Sequence, residues 1–163
     1  GTQPIRLVSA YFPNGQSPDS DKFAYKLNWL SSLQTWMASE LAQNPRLALL
    51  GDFNIAPADE DVHDPKAWEG QNLVSPLERD AFKSLIGLGL HDSFRMFEQA
   101  PKTYSWWDYR MMGFRRNAGL RIDHILLSDA LKEKCSASSV DKEPRTWEQP
   151  SDHAPVIAQI KKS

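Results

Sequence analysis

Hydrophobic positions along the chain follow two periods in turn. Residues 5–11 (Ile-Arg-Leu-Val-Ser-Ala-Tyr) form a strand-like run, closed by the turn signal Pro13-Asn14-Gly15. The period then lengthens. Phe23, Leu27, Leu30, Leu33, Met37 and Leu41 recur every three or four residues, predicting a helix capped within 19–21 and ended by Asn44-Pro45. Residues 46–50 predict the next strand, and 55–75, with Pro57, Pro65 and Gly70, read as irregular. Pro76 sits where a first helical turn tolerates it and opens a helix through Leu77, Phe82, Leu85 and Ile86 to Gly87 or Gly89. Short strands are expected at 93–97 and 103–107, then a strand over 120–127 that is apolar on both faces and hence buried. A short helix at 130–134, a strand near Val140 and a closing strand at 155–160 complete the pattern. Strand, helix, strand in this order argues for an α/β (α+β) fold with a mixed sheet flanked by helices.

Composition narrows the picture. At 163 residues, 40% hydrophobic and 25% charged, the chain reads as one domain over 1–163. Its one cysteine, Cys135, excludes an internal disulfide and suits a reducing, cytoplasmic setting. No apolar stretch approaches a membrane span, so no membrane partner is expected. A net charge of −2 does not announce a nucleic-acid binder. A local patch carries that argument instead: Arg110, Arg115, Arg116 and Arg121 follow Trp106, Trp107 and Tyr109. Arginines pair with phosphates and aromatic faces stack on bases, although a solvated loop beside a core aromatic cluster also fits.

The candidate chemistry lies at strand ends. Leu49-Leu50-Gly51-Asp52-Phe53-Asn54 delivers a carboxylate and an amide to a sheet edge, and strand alternation would point residues 52 and 54 in one direction. An Asx turn ending the strand is an equally good reading. Ser151-Asp152-His153-Ala154-Pro155 adds a second carboxylate and an imidazole that titrates near neutral pH. Asp123 lies among Leu120, Ile122, Ile125 and Leu126, where an acid is costly unless paired, and an imidazole is its natural partner. His63, His91 and His124 read as structural, the acidic run 59–64 as a solvated loop, and Tyr11 as a core-edge residue unless it faces the same cleft. Together these groups suit a metal-assisted phosphodiesterase.

Jointly, Tyr11-Phe12-Pro13-Asn14-Gly15, Gly51-Asp52-Phe53-Asn54, Tyr104-Ser105-Trp106-Trp107-Asp108-Tyr109-Arg110, Gly119-Leu120-Arg121-Ile122-Asp123 and Ser151-Asp152-His153-Ala154-Pro155 resemble the exonuclease III and abasic-site endonuclease branch of the endonuclease/exonuclease/phosphatase superfamily. The resemblance implies the C-terminal half of a four-layer αββα sandwich. It also implies a phosphodiesterase dependent on Mg²⁺ (or Mn²⁺) that cleaves duplex DNA at abasic sites or 3′ blocks, with 3′–5′ exonuclease and 3′-phosphatase activity. Asp52 would align or deprotonate the attacking water, and Asn54 would position it or the phosphate. His153, oriented by Asp123, would polarise the phosphate or serve as base, and Tyr11 would hydrogen-bond it. Asp152 would lie at the metal with Asp52 and Asn54. Trp106, Leu120 and Ile122 would line a pocket for a flipped-out baseless sugar, Asn14 would touch backbone phosphate, and Arg110 would enter a groove. The family's N-terminal half, which supplies a metal-ligand Glu, has no counterpart in these residues. The expected consequence is impaired metal binding, with an exposed sheet face that takes the missing half or a second copy. Alternatives are an inactive DNA-binding or assembly module, and a phosphatase of small phosphoesters.

Overall fold

The computed structural model describes residues 4–161. Its elements are β1 (Arg6–Ser9), α1 (Asp21–Gln43), β2 (Leu47–Asp52), α2 (Pro65–Trp68), α3 (Pro76–Gly87), β3 (Leu90–Asp92), β4 (Trp106–Trp107), β5 (Gly119–Leu120), β6 (Asp123–Ser128), α4 (Asp129–Lys132), β7 (Cys135–Val140) and β8 (Val156–Ile160). A mixed sheet of order β1-β2-β6-β3 forms the centre, with β1 parallel to β2 and the other pairs antiparallel. Two further pairs, β4-β5 and β7-β8, are antiparallel ribbons.

Each helix begins where its sequence provides an acceptor. The hydroxyl of Ser20 accepts from the Phe23 amide at 3.1 Å and starts α1. Ser75 and Glu78 form a reciprocal capping box, with Pro76 in the first turn of α3. The stripe Leu30, Leu33 and Met37 of α1 and Phe82 and Leu85 of α3 pack over Leu47, Leu49, Leu90 and Leu126 of the sheet, with Phe12, Phe53 and Ile55. The periodicities of 3.6 and 2 therefore meet in one apolar layer.

The opposite face is only partly covered. Ala48 and Leu127 pack there with Leu131, Cys135 and Ile160. Along the first strand and its extension, Val8, Ala10 and Phe12 turn to the helix side while Leu7 and Tyr11 remain 64% and 69% exposed.

Several predicted elements shift. Residues 93–97 are not a strand: β3 lies earlier, and Phe94–Met96 is a 3₁₀ turn started by the Asp92 carboxylate accepting from the Phe94 amide at 3.2 Å. The apolar run 120–127 is two strands, β5 pairing with β4 and β6 with the central sheet. The break falls at Arg121, whose side chain turns inward to two acids. The acidic run is not wholly solvated either. Asp61 is buried, receives Arg121 and Arg95, and caps its own turn through the Ala58 amide at 3.1 Å. Among the described residues, no helix is long and apolar enough to cross a membrane.

Candidate active site

The site is built at the edge where β2 ends and β6 begins. Antiparallel register sets Asp52 directly opposite Asp123, so two carboxylates share one face. Gly51 permits this. Its φ is +139°, and a Cβ there would lie 2.0 Å from the Ala10 carbonyl oxygen of the neighbouring strand.

Beyond Asp52 the chain turns rather than continuing the strand. Asn54 is in the left-handed region with φ +51°. Its amide donates to Asp52 Oδ1 at 2.8 Å, the Asx turn itself, and its Nδ2 donates to the Phe12 carbonyl at 3.0 Å and Asp52 Oδ2 at 3.3 Å. The two side chains thus meet through a turn, not through strand alternation. Asn14 Nδ2 donates to Asn54 Oδ1 at 3.1 Å, which brings the 13–15 turn into the same network.

The loop carrying Asp152 and His153 is stitched to β4. The Trp107 amide donates to the Asp152 carbonyl at 3.0 Å, and the Ala154 amide to the Ser105 carbonyl at 2.7 Å. Arg145 anchors the loop from below. Its guanidinium lies 4.8 to 5.8 Å from the ring centres of Phe114, Tyr109 and Trp107, and Nη1 donates to the Ser151 carbonyl.

His153 is thereby placed between the two acids. Its Nδ1 is 2.9 Å from Asp123 Oδ2, and its Nε2 faces Asp52 Oδ2 at 3.9 Å. One ligating atom from each of Asp52, Asp123 and His153 falls within 4.8 Å of the others. Asp123 Oδ2 also accepts from Ser105 Oγ at 2.7 Å, while that oxygen takes the Ile122 and Asp123 amides at 3.0 Å each. Ser105 was not legible as a site residue. Its only signal is its place before Trp106-Trp107.

Environment tunes these groups. Burial and then the Asp123 charge push the Asp52 carboxyl up to about 6, against the Asn54 amide, His153 and Lys26, which favour its ionised form. For His153, burial opposes protonation, but the hydrogen bond and charge of Asp123, with Asp52 and Asp152, raise it above the ordinary imidazole range. His124 behaves in the opposite way. Burial and the adjacent Arg121 push it down to about 4. It lies on the helix side of β6, where Arg121 Nη1 donates to its Nδ1 at 3.1 Å and its Nε2 donates to the Ile55 carbonyl at 2.8 Å, the neutral tautomer these partners require.

The remaining sequence-derived candidates divide. Tyr11 is exposed on the face that carries Asp52. Asp152 is outside the triad, and its Oδ2 accepts from the Trp106 indole at 3.0 Å. Leu120 and Ile122, expected to line a sugar pocket, are packed with Ala56, Val62, Leu73 and Val74, with Trp106 against the cluster, and offer no open surface. Arg110 is exposed but paired with Asp108 at 2.6 Å, and Arg121 is buried between Asp61 and Asp92, so neither belongs to a free basic patch. Arg115 and Arg116 remain exposed.

One buried pair escaped the sequence reading altogether. Lys26 of α1 and Glu78 of α3 are both fully buried and joined by a salt bridge beneath the Asp52–Asn54 turn. The signal was present: Lys26 stands three residues after Phe23 and four before Leu30, a charge inside an apolar stripe.

Residues 2–153 match the model of the endonuclease/exonuclease/phosphatase family. The chain belongs to that family. It is 38% identical to exodeoxyribonuclease III of Haemophilus influenzae over 96% of its own length and 62% of that protein. Among solved structures it superposes on a Neisseria 3′ phosphatase bound to product DNA hairpin, with a TM-score of 0.94 and 44% identity, covering 96% of this chain and 61% of that one. An AP endonuclease from Archaeoglobus fulgidus gives a TM-score of 0.88 at 34% identity, covering 94% and 60%. These relatives place the chain in the exodeoxyribonuclease III and AP endonuclease branch, of whose members it spans about three-fifths.

Proposed function

We propose that this chain carries the hydrolytic residues of a metal-dependent DNA-repair phosphodiesterase acting at abasic sites or 3′ blocks of duplex DNA. The observation that carries the reading is the imidazole of His153 set between two carboxylates that face each other across β2 and β6.

Asp52, with a proton affinity near 6, is poised to take a proton from water near neutral pH. Asn54 fixes the orientation of that carboxylate through its amide and side chain. His153, held protonated by Asp123, offers Nε2–H to a phosphate oxygen. Tyr11, exposed on the same face, adds a hydroxyl donor, and Asn14 contacts phosphate from the adjoining turn. Arg115 and Arg116 contact the DNA backbone, Arg110 enters a groove by exchanging Asp108 for the nucleic acid, and Trp106 lies at the mouth of the site.

Two carboxylates with a carboxamide beside them are hard oxygen donors of the kind Mg²⁺ or Mn²⁺ prefers. Asp52, with Asp123 facing it, would hold the ion, with Asn54 and the more distant Asp152 as the further oxygen donors, and the ion would supply neutralisation of charge on the phosphoryl oxygen. The exposed face bearing Leu7 and Tyr11 is read as the seat of a further layer of the kind that the longer relatives have length to supply.

The test is incubation of the chain with Mg²⁺ and duplexes bearing one abasic site or a 3′-phosphate, alone and with the remaining segment of a relative added. Cleavage that Asp52→Asn and His153→Ala abolish without unfolding supports the site. Undiminished cleavage by both variants, or none even with the segment present, overturns it.

A further inference from the structure

We propose that Lys26 is a positioning residue for the Asp52–Asn54 turn, and that it works by pinning the backbone carbonyls of Asn14 and Asn54 beneath the site. The inference deepens the phosphodiesterase reading and rests on it for the activity arm of its test, but not for the structural arm.

The ammonium of Lys26 makes three contacts, which exhaust its donors: Glu78 Oε1, the Asn54 carbonyl at 2.7 Å and the Asn14 carbonyl at 3.1 Å. Two of the three are main-chain groups of residues that lie in the site. Asn54 needs such a partner. It is held in a left-handed conformation, and a buried carbonyl with no donor would carry the full cost of its desolvation.

Glu78 holds the ammonium in place. Its Oε1 also accepts from the Leu73 amide at 3.1 Å, and its Oε2 accepts from the Ser75 amide at 3.1 Å and the Ser75 hydroxyl at 2.6 Å. The carboxylate is thus fixed by the start of α3 and is not free to follow Lys26. The geometry runs from α3 through Glu78 and Lys26 to the two carbonyls.

What the carbonyls hold is a directed chain of amides. Asn72 Nδ2 donates to Asn14 Oδ1 at 3.0 Å, Asn14 Nδ2 to Asn54 Oδ1 at 3.1 Å, and Asn54 Nδ2 to Asp52 Oδ2 at 3.3 Å. Asn14 and Asn54 each have the oxygen toward the donor before and the nitrogen toward the acceptor after, so a flip at either breaks both of its links in the chain, which Asn72 begins. By fixing the backbone on either side of the Asn14–Asn54 contact, Lys26 sets the distance over which that chain closes on Asp52.

A salt bridge serving only stability predicts something different. Replacing both charges of a buried pair by neutral groups is often harmless to stability, whereas removing one leaves the other stranded. The informative protein is therefore the double variant Lys26→Met/Glu78→Gln. Its single carboxamide oxygen still accepts from Ser75 at the start of α3, while the donor to the two carbonyls is lost together with the acceptor for the Leu73 amide. In the full chain it is expected to keep the parent's melting temperature within a few degrees. The side-chain NH₂ signals of Asn14 and Asn54 in ¹H–¹⁵N spectra should move and exchange faster, while those of Asn117, bonded to the distant Lys102 carbonyl, stay put. With Mg²⁺ and a 3′-phosphate duplex, kcat should fall about 10- to 100-fold with KM little changed.

A folded double variant with unmoved Asn14 and Asn54 signals overturns the proposal, as does one with the parent's kcat. Should that variant fail to fold, Asn72→Ala tests the same chain from its far end. A shift at Asn14 that propagates to Asn54 supports it, and an unchanged Asn54 overturns it. If the parent chain shows no turnover even with the remaining segment of a relative added, the phosphodiesterase reading fails, and the spectra still decide the role of Lys26.

Discussion

His153 and Asp123 are joined edge to edge, Nδ1 of the imidazole lying 3.1 and 2.9 Å from the two carboxylate oxygens. The contact directs Nε2 toward Asp52 and raises the proton affinity of the ring above that of a free histidine, against the opposing effect of burial. Replacing Asp123 by Asn removes the charge and retains the shape. The histidine pKa, followed by NMR titration of its ring protons, is expected to fall. The alkaline limb of the pH–rate profile should move down with it, and turnover near pH 8 should drop about 100-fold. An unmoved His153 titration would show that Asp123 does not set its protonation.

Asp52 is held in an unfavourable state. Its folded pKa of about 6 lies above the ordinary 3.8, so the native protein binds this proton before the unfolded chain does. Ionising Asp52 therefore costs stability progressively as pH rises from about 4 to about 6, and fully above that. With divalent ions chelated, Asp52→Asn should be more stable than the parent at pH 7.5 by about 1–3 kcal/mol, a gain that vanishes near pH 4. Urea melts at the two pH values check both the sign and the window. The same variant should have lost turnover, which separates the role of the carboxylate from any contribution to the fold.

How much of this was readable beforehand follows from what each pattern encodes. The α1 stripe from Phe23 to Met37, the Pro76 start of α3 and the pairing of Asp123 with a histidine rest on local period, cap chemistry and the cost of an isolated buried charge, and all three appear in the structure. Arg121 shows the limit. Counted by composition it belonged to a basic patch, but its guanidinium turns into the core because Asp61 and Asp92, 60 and 29 residues away, provide the charges. Long-range pairing leaves no periodic trace. Leu120 and Ile122 were read as pocket lining from the resemblance, and it is the left-handed Leu73 and its neighbour Val74 that complete the cluster enclosing them. Lys26 was visible only as an irregularity in an otherwise apolar stripe.

The Arg121 network makes a further prediction. Arg121 contacts Asp61 Oδ1 at 2.7 Å and Asp92 Oδ2 at 2.7 Å, and these acids in turn hold its proton firmly despite burial. Arg121→Met leaves buried Asp61 with Arg95 as its one remaining cation and should cost about 3–5 kcal/mol in chemical denaturation. It also removes the charge that disfavours protonation of His124, whose pKa should rise from about 4. A folded His124 pKa below its unfolded value means stability that is complete above pH 6.5 and lost as pH falls toward 4. The variant should therefore lose less stability than the parent over that acid window, a difference that denaturation at pH 7 and pH 5 measures directly.

Gly51 gives the sharpest steric prediction, because its neighbour cannot move out of the way. The Ala10 carbonyl that a Cβ would meet at 2.0 Å belongs to a backbone whose own amide donates to the Leu50 carbonyl at 2.9 Å, so relief requires parting β1 from β2. Gly70 offers an internal comparison: it too has positive φ, at +69°, but nothing lies within 4 Å of its would-be Cβ. Gly70→Ala then carries only the left-handed penalty of about 1–2 kcal/mol. Gly51→Ala adds a backbone collision to its own strain and should cost about 3 kcal/mol or more. Because the collision lies one residue before Asp52, any folded Gly51→Ala protein should also have Asp52 displaced from Asp123 and His153. Melting curves for the two variants and a His153 titration in the second test this together. Equal destabilisation would mean that β1 yields at Ala10, and the close approach would then not be what sets Asp52 in place.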